Sequence, residues 1–381
     1  MVIELRGVEF VNKGAELMLH AIIQQVKKEY PRAIFTMEHS VRAPRNKQLR
    51  HGIYTKTEFK KYRISFRYFL DLIPKAIRRR IYFISEDEIN VVLDGSGFAF
   101  GDYWGVRKAE TRLASHIVRW KKAGKKVVLL PQALGPFSDN ALAAKMKVIA
   151  DNADLIFARD RYSFQHITNV KSNSSNIYLM PDFTNLIDGT PPAYFDEKNF
   201  DIAIIPNSKL LESGVFKRSE YLGLLNQMAE KILDSGLNPF FLVHEGLQDL
   251  YLVKEVNENF GKEIEIIKEE DPIAVKGIIG MSKGVITSRF HGLVSALSQS
   301  IPCLAIGWSH KYEALMEDYN YAEGLINKED LKQSANFLKK MELILNEDER
   351  SRISKILESS ARLQKFKSLE MWKIVFERIK D

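Results

Sequence analysis

One cysteine, Cys303, is all the chain of 381 residues contains. A disulfide framework is excluded, and so is a zinc site built on several thiolates. Cys303 follows Pro302 inside an apolar run and reads as a small buried hydrophobe. No stretch of about 18 uncharged apolar residues occurs, so no spanning helix is expected. The N-terminal MVIELRGVEF lacks the charged head and long apolar core of a secretory signal, and a cytoplasmic protein is expected. Neither GxGxxG nor GxxxxGK[ST] is present, which disfavours a dinucleotide fingerprint and a P-loop. There is no low-complexity tract and no repeat of solenoid period. No metal-ligand cluster is visible, so neither a metal nor a cofactor is expected, and a chelator should leave activity intact.

What is present begins with charge. Net charge is +7, and the excess gathers in residues 42–80, where thirteen Lys and Arg face only Glu58 and Asp71. Tyr62, Phe66, Tyr68, Phe69, Leu70, Leu72, Ile73, Ile77, Ile81, Tyr82 and Phe83 are interleaved with them or follow them. A basic, aromatic-bearing amphipathic stretch over about 42–85 suits an anionic membrane surface. A solvated face on a packed helix explains the same composition. Nucleic acid is not expected, because no recognition motif accompanies the charge.

Short apolar β-branched runs alternate with amphipathic helices along the chain: VIEL, IFTM, NVVL, KVVLL and LIFA in the first half, IAII, PFFLV, GVIT and CLAI in the second. Runs of this kind are strands buried on both faces of a parallel sheet. The fold expected is α/β, with two Rossmann-like domains of parallel sheet and a helical C-terminal tail. The domains are expected at 1–190 and 200–327, with the tail at 328–381. The Asn-, Ser-, Asp- and Pro-rich stretch 169–200 reads as the linker.

Open α/β sheets bind ligands beyond the carboxyl ends of their strands. At those ends stand Asn12, Gly14 and Glu16; Asp94, Gly95, Ser96 and Gly97; Arg159; His244; Ser288, Arg289, His291 and Gly292; and His310 with Lys311. Glycines let backbone approach a ligand, and helix N-termini offer free N–H groups to anions. Arg289 and Arg159 are planar forks suited to carboxylate or phosphate oxygens. His291 and His244 are able to move protons near neutral pH. Asp94 and Glu16 suit sugar hydroxyls or the role of a base. The set describes a cationic pocket with a proton donor, matched to a small anionic substrate. For each piece alone a structural role competes: a tight turn for Gly95-Ser96-Gly97, a salt bridge for Arg159, a solvated base for Lys311.

The stretches NKGAELMLHAI, DGSGFAFGD, LPQALGPF, ARDRYSF, TSRFHGLVSALSQSIPCLAI and HKYEALMEDY together resemble the polysaccharide pyruvyl transferase family, in the family's order over most of residues 8–320. The resemblance implies a GT-B-like arrangement of the two domains, and transfer of the enolpyruvyl carbons of phosphoenolpyruvate (PEP) to two sugar hydroxyls. A pyruvate ketal forms and phosphate leaves. It associates the Arg and His of the S-R-x-H element, here Arg289 and His291, with the donor site. Arg159 of the R-D-x-x-S element becomes a second anion contact. Where the family often carries Asp before Glu in its N-terminal loop, this chain has Ala15 before Glu16. On this reading His291 is the general acid, Arg289 the anion clamp, and Asp94 or Glu16 the carboxylate that orients or deprotonates the sugar. The acceptor expected is a lipid-linked sugar or an oligosaccharide, reached at the inner membrane face. Two rivals stand beside it: a nucleotide-sugar glycosyltransferase of the same architecture, and a glycan- or anion-binding protein whose site has decayed.

Overall fold

A computed structural model divides the chain into two compact units. Met1–Val11, Met18–Phe183 and Lys367–Asp381 form the first; Asn12–Leu17 and Thr184–Phe366 form the second. The structure describes residues 1–58, 60–61, 64–65, 67–171, 174–259, 261, 263–307 and 310–380.

In the first unit a parallel sheet runs in the order Ile177–Leu179, Leu155–Ala158, Lys126–Leu134, Val91–Asp94, Val2–Arg6, Ile34–Met37, Tyr54–Lys56 and Phe83–Ile84. Val2–Arg6 and Val91–Asp94 are buried along their whole length, as strands covered on both faces must be. The chain reverses its direction of travel through the sheet between these two strands. The carboxyl end of that pair carries Asp94, Gly95 and Ser96.

Two parts of this sheet depart from the sequence reading. Ile177–Leu179 pairs with Leu155–Ala158, so the front of the stretch read as linker is a strand. Tyr54–Lys56 and Phe83–Ile84 extend the sheet's other edge, so the basic stretch is woven into the fold at both of its ends. Tyr62, Arg63 and Phe66 of that stretch lie outside the described residues.

Several of its bases have internal partners. Lys56 is fully buried, with Nζ 3.1 Å from Glu4 Oε2 and 2.7 Å from Glu86 Oε2. Arg78 is buried against Ser85 and Glu88, both at 2.7 Å. Arg79 Nε donates to Glu88 at 2.9 Å, and Arg42 grips Glu9 with two bonds. Charges taken out of water need such partners.

Glu86 shows the consequence. Burial works to raise its pKa, but the ammoniums of Lys56 and Lys125 and the bond from Trp120 Nε1 outweigh it and hold the carboxyl at about 2. A depressed carboxylate stabilises the fold above its unfolded pKa, and that contribution disappears as pH falls through the folded value. Thermal melts should therefore show stability lost between about pH 4 and pH 2, on the order of 3 kcal/mol from Glu86 alone. Glu86→Gln should be less stable at neutral pH and flatter across that window. A variant that keeps the wild-type acid slope would contradict the assignment.

The second unit holds a parallel sheet in the order Glu265–Lys268, Pro239–Val243, Ile202–Ile205, Gly284–Thr287, Cys303–Ile306 and Leu325–Ile326. Its switch point lies between Ile202–Ile205 and Gly284–Thr287. In sheets wound this way, that is where ligands sit. Cys303 is fully buried in the sheet, where desolvation pushes its thiol pKa up, as suits a scaffold residue. The C-terminal region is helical: Ser334–Leu345, then Glu347–Lys380, whose first part belongs to the second unit and whose end belongs to the first.

Candidate functional site

The strand Gly284–Thr287 delivers the chain to the switch point, and Ser288 and Arg289 turn it into the helix Phe290–Leu297. Thr287 Oγ1 accepts a bond from the Arg289 N–H at 3.0 Å, and the helix starts with Leu293 N donating to Arg289 O at 2.9 Å. Leu293, Val294, Ala296 and Leu297 are completely buried and anchor the helix. Gly292 leaves no room for a side chain, since a Cβ there would stand 2.9 Å from Thr287 Oγ1.

Ser288 is wholly buried, and its carbonyl accepts from Asn207 Nδ2 at 2.8 Å and Tyr312 OH at 2.6 Å. Asn207 belongs to the neighbouring strand end, and its N–H donates to Tyr221 OH at 3.0 Å. These bonds fix the hinge from beneath, so Ser288 braces it.

Arg289 is more than nine-tenths buried and tied on two sides. Its Nη2 donates to Asp249 Oδ2 at 2.5 Å, and its Nη1 pairs with Glu245. Asp249 is fully buried and accepts from the Ser208 N–H at 2.9 Å. Desolvation lowers the Arg289 guanidinium pKa to about 10 and works to raise that of Asp249, while the ion pair at 2.5 Å between them favours both charged forms. Arg289 is still a cation at neutral pH.

The segment Asn12–Leu17 belongs to the same unit. Asn12 caps the helix Lys13–Glu29, its Oδ1 accepting from Ala15 N at 3.0 Å, and its Nδ2 donates to Glu245. Gly14 lies so close to the His291 imidazole that a Cβ at position 14 would be 2.2 Å from Nδ1. His244, at the end of the strand Pro239–Val243, is buried, and desolvation followed by the charge of Arg289 holds its pKa well below the usual histidine value. It is a neutral group at pH 7.

Asn12, Gly14, His244, Ser288, Arg289, His291 and Gly292 thus gather around one switch point. Lys311, in the first turn of the helix His310–Asp318, stands over the Phe290 ring at 5.6 Å; His310 beside it is exposed. Glu16 is buried one turn along from Asn12. Among residue types that hold metals, Glu16 and His20 are one turn apart on the helix Lys13–Glu29, and the His51 ring is 5.2 Å from that of His20.

The remaining expected residues are in the first unit. Asp94 is fully buried at the first sheet's switch point. Its Oδ1 accepts from Ser96 N at 3.1 Å, and Gln132 Nε2 is 3.4 Å away. Asp94 Oδ2, Ser96 Oγ and Gln132 Oε1 are shielded from solvent and have no partner among the described residues. Buried polar atoms are rarely left so. Gly97 has φ +66° and supports the turn that carries them; Gly95 packs against Val8 and Ile22. Arg159 is buried with Nη1 3.1 Å from Asp182 Oδ2, and Asp160 caps the next helix through Ser163 N at 2.8 Å. These bonds tie the R-D-x-x-S element into its own unit.

Sequence reasoning passed over Glu245, Asp249, Asn207 and Gln132 as site residues. Glu245 follows a strand directly, so the strand-end rule covers it. Asp249 reads as an ordinary acid in the first turn of the helix Gly246–Asn259.

A family model described as polysaccharide pyruvyl transferase matches residues 12–310. No curated protein matches the chain. Among solved structures, the S. aureus MnaA–UDP co-structure is similar at 13% identity and TM-score 0.61, covering 100% of this chain and 96% of that one. The glycosyltransferase from Rickettsia africae ESF-5 follows at 12% and 0.60, with 100% and 98% covered. HepE of Anabaena, in complex with UDP and glucose, is similar at 12% and 0.58, with 99% and 100% covered. At these identities the likeness is one of fold: two Rossmann-like α/β units in one chain, as in GT-B enzymes.

Proposed function

The chain belongs to the polysaccharide pyruvyl transferase family and is a transferase, and from that premise we propose that it moves the enolpyruvyl group of PEP onto two hydroxyls of a cell-surface glycan or its lipid-linked precursor. The observation that carries the reading is the meeting of a cation, an imidazole and a helix-capping amide at one switch point: Arg289, His291 and Asn12. In the proposed sequence His291 gives a proton to the methylene carbon of PEP. The oxocarbenium-like carbon that results is attacked by one sugar hydroxyl. The second hydroxyl then displaces phosphate, and the ketal closes. One hydroxyl proton restores the one that His291 gave up, and the other leaves with the phosphate. Arg289 holds the donor's carboxylate or phosphate through this charge redistribution. No step of the scheme calls on a cofactor.

A second reading has its own support. The similar structures named above include proteins solved with UDP or UDP and glucose, and a nucleotide sugar is an anion too. Calorimetric titration separates the two. PEP should bind and be competed by inorganic phosphate, with UDP-glucose silent. Binding of UDP-glucose without binding of PEP would overturn the pyruvyl reading.

Contact with an anionic bilayer is part of the proposal. No helix among the described residues is long and apolar enough to cross a membrane. Leu72 is 81% exposed and Ile77 52%, and Lys75 and Arg80 beside them are exposed as well. Exposed aliphatics rimmed by bases suit a peripheral contact with acidic headgroups. Flotation with phosphatidylglycerol vesicles should carry the wild type upward, and Leu72→Ser/Ile77→Ser should float much less. Equal flotation of the two would remove this surface from the account.

A further inference from the structure

Reading Arg289 as the donor's anion clamp raises a difficulty, because its guanidinium is already engaged. Nη2 faces Asp249, Nη1 faces Glu245, and Nε lies 3.5 Å from the Pro206 carbonyl. A donor phosphate or carboxylate added to this arrangement would make three anions around one cation. Like charges at such separations disfavour one another strongly. One carboxylate has to leave.

The two carboxylates are built differently. Asp249 is wholly enclosed, sits on a helix, and is held by the Ser208 N–H at 2.9 Å. Glu245 has a side chain one-fifth exposed and lies in the connection between the strand Pro239–Val243 and the helix Gly246–Asn259. Gly246 follows it at φ +60°, where an added Cβ would meet nothing within 4 Å. Glu245 also takes the Nδ2 donor of Asn12. Its carboxylate therefore occupies Arg289 Nη1, a donor that the functional reading gives to the substrate's anionic group, together with Asn12 Nδ2.

We propose that Glu245 is an internal counter-ion that holds the anion-binding face of Arg289 and Asn12 until the donor's phosphate or carboxylate displaces it, while Asp249 stays and positions the guanidinium. Glu245 then tunes donor affinity, and prevents a bare buried cation from capturing stray anions. The inference rests on Arg289 being the anion clamp; it does not depend on the donor being PEP.

The test is calorimetric titration of the wild-type chain, Glu245→Gln and Glu245→Ala with inorganic phosphate and separately with PEP. Two variants guard against misfolding of one. Removing the competing charge-assisted pair should tighten phosphate binding roughly tenfold in both. Glu245→Gln/Arg289→Ala should show no gain. Unchanged or weaker phosphate binding in both variants, or no phosphate binding by any of these proteins, would overturn the proposal. Tightened phosphate binding without ketal formation from PEP sinks only the pyruvyl reading. Ketal formation by a wild type whose Glu245 variants show no gain sinks only the counter-ion.

Discussion

His291→Ala is expected to lower kcat by about 10²–10⁴ and leave the PEP KM within a few-fold of wild type. The first proposed step protonates a carbon, and carbon does not take a proton readily from water at neutral pH. A positioned acid contributes to that step and to little else, so its loss should appear in kcat. The structure gives this imidazole an unusual degree of fixation. It begins a helix whose apolar side is completely buried, and the backbone at Gly14 presses on its Nδ1 edge so closely that a methyl group there would collide. A ring held on two sides pays little reorganisation when substrate arrives. Steady-state kinetics with varied PEP separate the two parameters. Near-normal kcat in His291→Ala, or a loss confined to KM, would remove the general acid from this residue.

Arg289→Ala should act on the other parameter. Loss of a charge-assisted contact to the donor is worth roughly 1.5–3 kcal/mol, which is a PEP KM raised by about ten- to a hundredfold. Arg289→Lys should recover only part of it, because an ammonium cannot reproduce the planar fork. The same substitution strips Asp249 of its cation. Breaking a buried pair on one side costs about 3–5 kcal/mol, so the variant should melt lower as well. Adding Asp249→Asn to Arg289→Ala restores the charge balance. The double variant should regain stability without regaining PEP binding. Recovery of both would mean that Arg289 matters for folding alone.

Much of this site was legible from residue type and place. T-S-R-F-H-G follows a buried strand and opens an apolar helix, so the strand-end rule alone places Arg289 and His291 at the carboxyl end of a strand. The same rule brought in Asn12, Gly14 and His244. It does not say which strand-end side chains or carbonyls are tied into the fold. Ser288 and Arg159 are strand-end residues too, and their bonds run to Asn207, Tyr312 and Asp182, partners far away in sequence. Asp249 was hidden for a related reason: an acid in a first helical turn is the commonest arrangement there is, and only the fold brings Arg289 to it.

Composition does not reveal how far the basic stretch is buried, for the same physical cause. Lys56 and Arg78 count as surface charge in a sequence window. The carboxylates that allow their burial, Glu4 for one and Glu88 for the other, come from the central strand and from a turn beyond the window. Among the described residues of that stretch, Leu72, Ile77, Ile81 and Tyr82 stay exposed, with Arg42, Arg50, Lys75 and Arg80.

The central claim is transfer of a pyruvyl group from PEP. It is tested most directly by incubating the chain with carbon-labelled PEP and a panel of lipid-linked and synthetic sugars, and following label and phosphate together. The account predicts label moving onto a sugar with one phosphate released per label transferred, and almost none of either with His291→Ala. Release of phosphate without label on any sugar, or transfer unaffected by His291→Ala, would contradict it.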